Sequence, residues 1–158
     1  MSTTTAPSPP ELKNLRFEID GEIGTLALDR PNVLNAMSPE LIAELVTAAG
    51  WLADRAQLRA LIVTGEGRAF SAGGDVNWFK RGLDESGDYL SADVRRGADV
   101  LHQAIVDFRR IPYPVIAAVN GVAAGPSVAT AIRSAVSSDS PATLRRCIRE
   151  RTASRRSR

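Results

Sequence analysis

Four glycines fall within ten residues in Gly65-Glu66-Gly67-Arg68-Ala69-Phe70-Ser71-Ala72-Gly73-Gly74, directly after the apolar run Ala60-Leu61-Ile62-Val63 and its Thr64. The apolar run reads as a buried strand. Asp75 is placed to cap a helix opening at Val76-Asn77-Trp78-Phe79. A strand that passes through glycines into a helix presents backbone N–H groups with little side chain around them, and the helix N-terminus favours negative charge. The guest suited to such a loop is an anion or a polarised carbonyl oxygen. A dinucleotide fingerprint starting at Gly65 and Gly67 would need glycine where Phe70 stands, and a P-loop would need a lysine, whereas the only lysines are Lys13 and Lys80. Spacing alone leaves open an ordinary strand-to-helix turn that uses glycine for its geometry.

A second run of small residues, Val122-Ala123-Ala124-Gly125, follows the apolar stretch 115–119 and an Asn120-Gly121 turn. The elements that must position the two runs can be read in order. Apolar runs at 15–19 and 23–28 flank Asp20-Gly21, a hairpin signal. Asp29-Arg30-Pro31-Asn32 breaks the second strand. Ser38-Pro39-Glu40 starts a helix over 39–53, with a cap, a proline in the first turn and an acid. Leu41, Ile42, Leu45, Val46, Ala49 and Leu52 share one face of it. After the strand at 60–63 and the glycine loop, 82–87 reads as a polar, mobile connection. A second amphipathic helix spans 93–110, with Val94, Ala98, Leu101, Ile105 and Phe108 at helical spacing; Ile111-Pro112-Tyr113-Pro114 ends it. His102 lies on this helix with no second histidine and no carboxylate placed to orient it, so it reads as exposed or structural. Strands alternating with helices imply an α/β fold in which both loops leave the same ends of neighbouring strands. Two loops of backbone donors facing one space would form an oxyanion hole.

At 158 residues and 44% apolar content the chain fits one globular domain. No apolar stretch reaches the length of a membrane span. Residues 1–14 begin without a basic or an apolar signal region and read as a disordered leader. The single Cys147 suits a reducing cytoplasm. Charge is divided unevenly. Residues 1–125 carry twelve basic and sixteen acidic residues, a net −4; residues 126–158 carry eight arginines against two acids, a net +6. The basic excess belongs entirely to the tail.

Three stretches together resemble the enoyl-CoA hydratase/isomerase, or crotonase, family across residues 15–125. They are Ile23-Gly24-Thr25-Leu26-Ala27-Leu28-Asp29-Arg30-Pro31 with Leu34-Asn35-Ala36, then Gly67-Arg68-Ala69-Phe70-Ser71-Ala72-Gly73-Gly74-Asp75, then the run from Pro114 to Gly125. The resemblance implies a spiral of ββα units, here incomplete, lacking the second half of the core and the C-terminal helical region. It implies an acyl-CoA thioester as partner, no metal, and no cofactor beyond the CoA carried by the substrate. It also implies assembly into trimers or pairs of trimers. Gly74 takes the position of the first oxyanion N–H donor. Ala72, Gly73 and Gly74 take the CoA-binding positions, with the carbonyls of Ala72 and Gly74 toward the adenine. Asp75 resembles the acid that caps the following helix.

The sequence departs from the family after Gly125. The second oxyanion donor falls on Pro126, which has no N–H. The position where hydratases often carry a catalytic glutamate falls on Ala129, and Glu150, near the second such position, has no supporting motif. Residues 126–158 contain no aromatic residue and no lysine, and their composition suits out-of-frame reading of a GC-rich coding region. These features predict a truncated hydratase or isomerase with impaired catalysis and a disordered tail. A non-catalytic binder of CoA thioesters is the alternative. Nucleic-acid binding through the arginine-rich tail is disfavoured, because the tail lacks interleaved aromatic residues and the rest of the chain is acidic.

Overall fold

The computed structural model describes residues 10–54, 57–88, 91–125 and Arg146. Strands β1 (Leu15–Asp20) and β2 (Ile23–Leu28) form the expected hairpin, in the register Leu15 opposite Leu28 through Asp20 opposite Ile23. Gly21, at φ +62°, supplies the positive dihedral that so short a turn needs. A 3-10 turn (Pro31–Val33) then leads to α1 (Pro39–Ala53). The Ser38 hydroxyl accepts from Leu41 N–H, and Pro39 occupies the first turn, as the sequence implies.

From α1 the chain enters β3 (Ala60–Gly65), which pairs parallel with β2. It then crosses through α2 (Val76–Ser86) and α3 (Ala92–Arg110) to β5 (Val115–Ala117), parallel to β3. The strand order is β1-β2-β3-β5, so successive crossovers step in one direction across the sheet. Crossovers of one hand stepping one way place their helices on one face. The main core agrees: Leu26 and Leu28 of β2, Leu61 and Val63 of β3, and Val115 and Ala117 of β5 pack with buried residues of α1 and α3. Ile23, Ile62 and Ala118, out of phase with these by the strand alternation, form a separate cluster on the opposite face. Every residue of β2 and β3 is buried, which accounts for their nearly continuous apolar runs. Each fully buried large side chain, such as Phe70, Leu61 or Leu45, contributes roughly 1.5–3 kcal/mol through burial.

Three expectations are corrected. Residues 82–86 are not a mobile connection; they continue α2, and Gly87 caps it at φ +70°. Gly82 is a packing residue, since a Cβ there would lie 2.6 Å from Ser91 Oγ. Ala98 is exposed rather than part of the buried face of α3. Its neighbour Gly97 takes the inward position and leaves room for the Trp78 indole, whose Nε1 donates to Asp93 Oδ2 at 3.3 Å. The glycine loop also contains a short strand, β4 (Ala69–Ser71), paired parallel with β6 (Val122–Ala123) in a second, two-stranded sheet. His102 is exposed, as expected.

The contact of Gly97 with Trp78 gives a test of helix packing. Alanine improves helix propensity by about 1 kcal/mol, but a methyl at Gly97 overlaps a buried ring, and overpacking costs typically 1–3 kcal/mol. Gly97→Ala is therefore expected to lower the urea midpoint of unfolding; an unchanged or raised midpoint would show that Trp78 moves aside freely.

Candidate functional site

The residues around Gly73 and Gly74 are held by a network that begins outside the glycine loop. Leu34 and Asn35 adopt left-handed backbone at φ +53° and +56°. Asparagine tolerates this conformation better than most residues. Asn35 is fully buried, and its side chain makes three hydrogen bonds: Oδ1 accepts from Arg30 N–H at 2.8 Å, and Nδ2 donates to the carbonyls of Glu66 and Ala69 at 2.9 and 2.8 Å. One amide thus joins the segment after β2 to both sides of the Gly67 turn. Gly65 must lack a side chain here, because a Cβ would overlap the Ala69 carbonyl and lie 2.7 Å from Asn35 Nδ2.

Two residues further on, Met37 forms a parallel bridge with Gly74. Met37 N–H donates to Gly73 C=O at 2.7 Å, and Asp75 N–H donates to Met37 C=O at 3.0 Å. In such a bridge the residues flanking Gly74 supply both bonds. The N–H and C=O of Gly74 itself therefore point away from Met37. Peptide planarity requires the same: in a trans peptide the Gly73 C=O and the Gly74 N–H are antiparallel. Among the described residues, nothing accepts from Gly74 N–H, and nothing donates to the carbonyl of Ala72 or of Gly74. Ala72 N–H is committed to Leu34 C=O at 2.9 Å, and Gly73 N–H to Ser71 Oγ at 3.3 Å. Gly73 sits at φ +97°, where a side chain would be strained. The turn therefore leaves one amide and two carbonyls uncommitted and pins the rest.

The second small-residue run lies against the first. Ala124 N–H donates to Ser71 C=O at 2.9 Å, and a Cβ on Gly73 would stand 3.3 Å from Ala124 O. Asn120 joins the two runs: its Nδ2 donates to the carbonyls of Gly65 and Gly67 at 2.8 and 2.9 Å, and its Oδ1 accepts from Gly65 N–H at 3.3 Å. Gly125 is at φ +61°. The structure thus brings Ala72, Gly73 and Gly74 together with the run ending at Gly125. Pro126 and Ala129 lie outside the described residues.

Asp75 caps α2, with Oδ1 accepting from Asn77 N–H at 3.0 Å, while its Oδ2 pairs with Arg30 at 3.1 Å. Arg30 also donates to the Ala36 carbonyl, so this ion pair ties the start of α2 to the segment that carries Asn35 and Met37. The Phe79 ring lies against Gly74, and any side chain at Gly74 would run into it. A separate polar depression is lined by Glu40, Trp78, Arg81, Glu85 and Asp93. There the Ser38 hydroxyl, helped by Glu40's own N–H and by Arg81 and Arg30, holds the Glu40 carboxyl below its usual range. No cluster of histidine, cysteine or acidic residues suited to a metal ion occurs among the described residues.

Arg30, Asn35, Met37, Ser71, Phe79 and Asn120 have no positioning role in the sequence analysis. Asn35 is the one with a readable signal, since asparagine tolerates left-handed backbone better than most residues and here lies shortly after a Pro-Asn chain break. Asn35→Ala would strand the carbonyls of Glu66 and Ala69 and the Arg30 N–H. Each unsatisfied buried group costs about 1–3 kcal/mol, so the substitution is expected to cost several kcal/mol. Chemical denaturation measures it, and a loss below about 1 kcal/mol would mean that water replaces the amide.

The sequence model of the enoyl-CoA hydratase/isomerase family matches residues 18–140. A Rhodobacter capsulatus protein described as a probable enoyl-CoA hydratase is 41% identical over 112 residues, covering 70% of this chain and 40% of the relative. The 1,2-epoxyphenylacetyl-CoA isomerase of Escherichia coli K12 is 34% identical over 115 residues, covering 72% of this chain and 42% of the relative. Among solved structures, an enoyl-CoA hydratase/isomerase from Mycobacterium paratuberculosis superposes with a TM-score of 0.64 at 32% identity, covering 79% of this chain and 50% of that one. The chain spans about two fifths of the length of these curated relatives. With the parallel sheet and the glycine turn described above, these matches make the chain a member of the enoyl-CoA hydratase/isomerase family.

Proposed function

We propose that the chain binds an acyl-CoA thioester at the Gly73–Gly74 turn, with Gly74 N–H donating to the thioester carbonyl oxygen. The observation that carries this reading is the amide itself. It is turned away from Met37 by two backbone hydrogen bonds and takes no acceptor among the described residues. A donor fixed in advance costs no reorganisation when negative charge develops on the oxygen, and an enolate-like state is the charge it would stabilise. The carbonyls of Ala72 and Gly74 suit the exocyclic amine of the CoA adenine. The start of α2, which follows Gly74 and Asp75, adds the end of a helix dipole that favours negative charge on the thioester oxygen. No helix among the described residues is long and apolar enough to cross a membrane. The one cysteine suits a reducing compartment such as the cytoplasm.

The reaction class that goes with this arrangement is hydration or isomerisation of a trans-2-enoyl-CoA. In this chain it is expected to be slow. The residue after Gly125 is Pro126, which cannot donate, and Ala129 cannot move a proton. Loss of one oxyanion donor costs roughly a hundred- to thousandfold in rate. Loss of a general acid or base costs roughly a hundred- to ten-thousandfold. Those two residues favour a second reading, thioester binding without turnover.

Turnover and binding are tested separately. A short trans-2-enoyl-CoA is expected to be hydrated at trace rate at most, and Pro126→Gly alone is not expected to rescue it, because it restores a donor but no acid. Turnover at an ordinary hydratase rate would overturn the assignment of Pro126 and Ala129. In ¹⁵N-labelled chain, a saturated acyl-CoA is expected to move the Gly74 amide proton downfield. Proline at Gly74 also meets Phe79, so Gly74→Pro is tested in a Phe79→Ala background, with Phe79→Ala alone as the control. Equal thioester affinity in the two variants would remove Gly74 from the site.

A further inference from the structure

Ser71 is fully buried, and its hydroxyl is hydrogen-bonded on both sides. Its hydroxyl donates to the Asn35 carbonyl at 2.8 Å. That carbonyl has no proton to give, so the single hydroxyl proton is committed to it. The oxygen lone pairs are left to accept Gly73 N–H at 3.3 Å. The relay therefore has one direction, from Gly73 N–H through Ser71 to Asn35. Asn35 is in turn held by the three hydrogen bonds of its own amide. Gly73 is the weak point of the turn. At φ +97° it has a glycine's freedom on both sides. Its carbonyl is held by Met37, but one hydrogen bond leaves the peptide plane free to tilt about its axis. The bond from Gly73 N–H to Ser71 removes that freedom on the preceding peptide.

We propose that Ser71 is a positioning residue, whose hydroxyl, anchored on Asn35, fixes the dihedrals of Gly73 and so aims the Gly74 N–H at the bound thioester oxygen. The inference rests on the reading of Gly74 as a carbonyl donor. It goes beyond that reading by assigning the direction of the donor to a buried side chain that never meets the substrate. A purely structural serine would change stability and leave the polarisation of the bound carbonyl untouched.

The test uses the full chain and a conjugated arylacryloyl-CoA, whose absorption moves to longer wavelength when its carbonyl is polarised. The parent is expected to bind it with a red shift. Ser71→Ala is expected to keep the dissociation constant within about threefold, under 1 kcal/mol, while losing most of the red shift. Ser71→Cys, which keeps a weak donor and acceptor, is expected to recover part of it. A parent that binds with a red shift which Ser71→Ala retains in full overturns the role of Ser71 alone. A parent that shows no binding or no shift overturns the reading of Gly74, and this inference with it. A measurement on the parent without ligand guards against misfolding of the variants: hydrogen exchange at Gly73 is expected to be slow and at Gly74 fast. Fast exchange at Gly73 overturns the relay.

Discussion

The site depends on one buried amide. Asn35 sits where the chain has left the sheet and has not yet entered α1, and its side chain takes over the work of secondary structure. It satisfies the carbonyls of Glu66 and Ala69 and the N–H of Arg30. A buried polar group is costly unless fully paired, and a fully paired one rigidifies whatever it joins. Here it joins the end of β2, the turn at Gly67 and the start of β4. Met37 and Arg30, on either side of it, then reach Gly74 and Asp75. The glycine turn and its helix cap are thus held in place by a segment 31 to 45 residues earlier in the chain.

Glycine has two uses in this site. At Gly73 it provides a dihedral that a side chain would resist. At Gly65, Gly74 and Gly121 the backbone is ordinary, and the missing Cβ makes room: for the Ala69 carbonyl, for the Phe79 ring and for the Arg68 carbonyl, respectively. The second use is the more consequential for chemistry. The space a Cβ would take at Gly74 is filled by the Phe79 ring, which packs against the backbone that carries the uncommitted amide. The absence of side chains also makes the turn depend on its neighbours for stiffness, which is why so many of its polar groups are bonded inward.

Packing on the helix face follows the same economy. Trp78 of α2 fills the space over Gly97 of α3, and Gly82 of α2 fits against Ser91 at the start of α3. Glycine on one helix receives a large or capping side chain from the next. The helix that Asp75 caps is therefore fixed at its start by the Arg30 pair and along its length by α3.

The amphipathic period of residues 39–53, the Ser38-Pro39 cap, the apolar runs at 23–28 and 60–63 and the Asp20-Gly21 turn were legible because they are local. Each depends on side chains a few residues apart, and the elements formed as their spacing implied. The glycine cluster was equally visible as a place for exposed amides. Neighbouring residues could not say which amide is left free, because that depends on Met37 meeting Gly74 and on Asn35 meeting Glu66 and Ala69, contacts over more than thirty residues. Gly82 misled for the same reason: a glycine in sequence signals a break or a turn, and only the packed helices revealed that its missing side chain is filled by Ser91. Local propensity determined the elements, and long-range hydrogen bonds with close backbone approach decided the direction of the Gly74 amide.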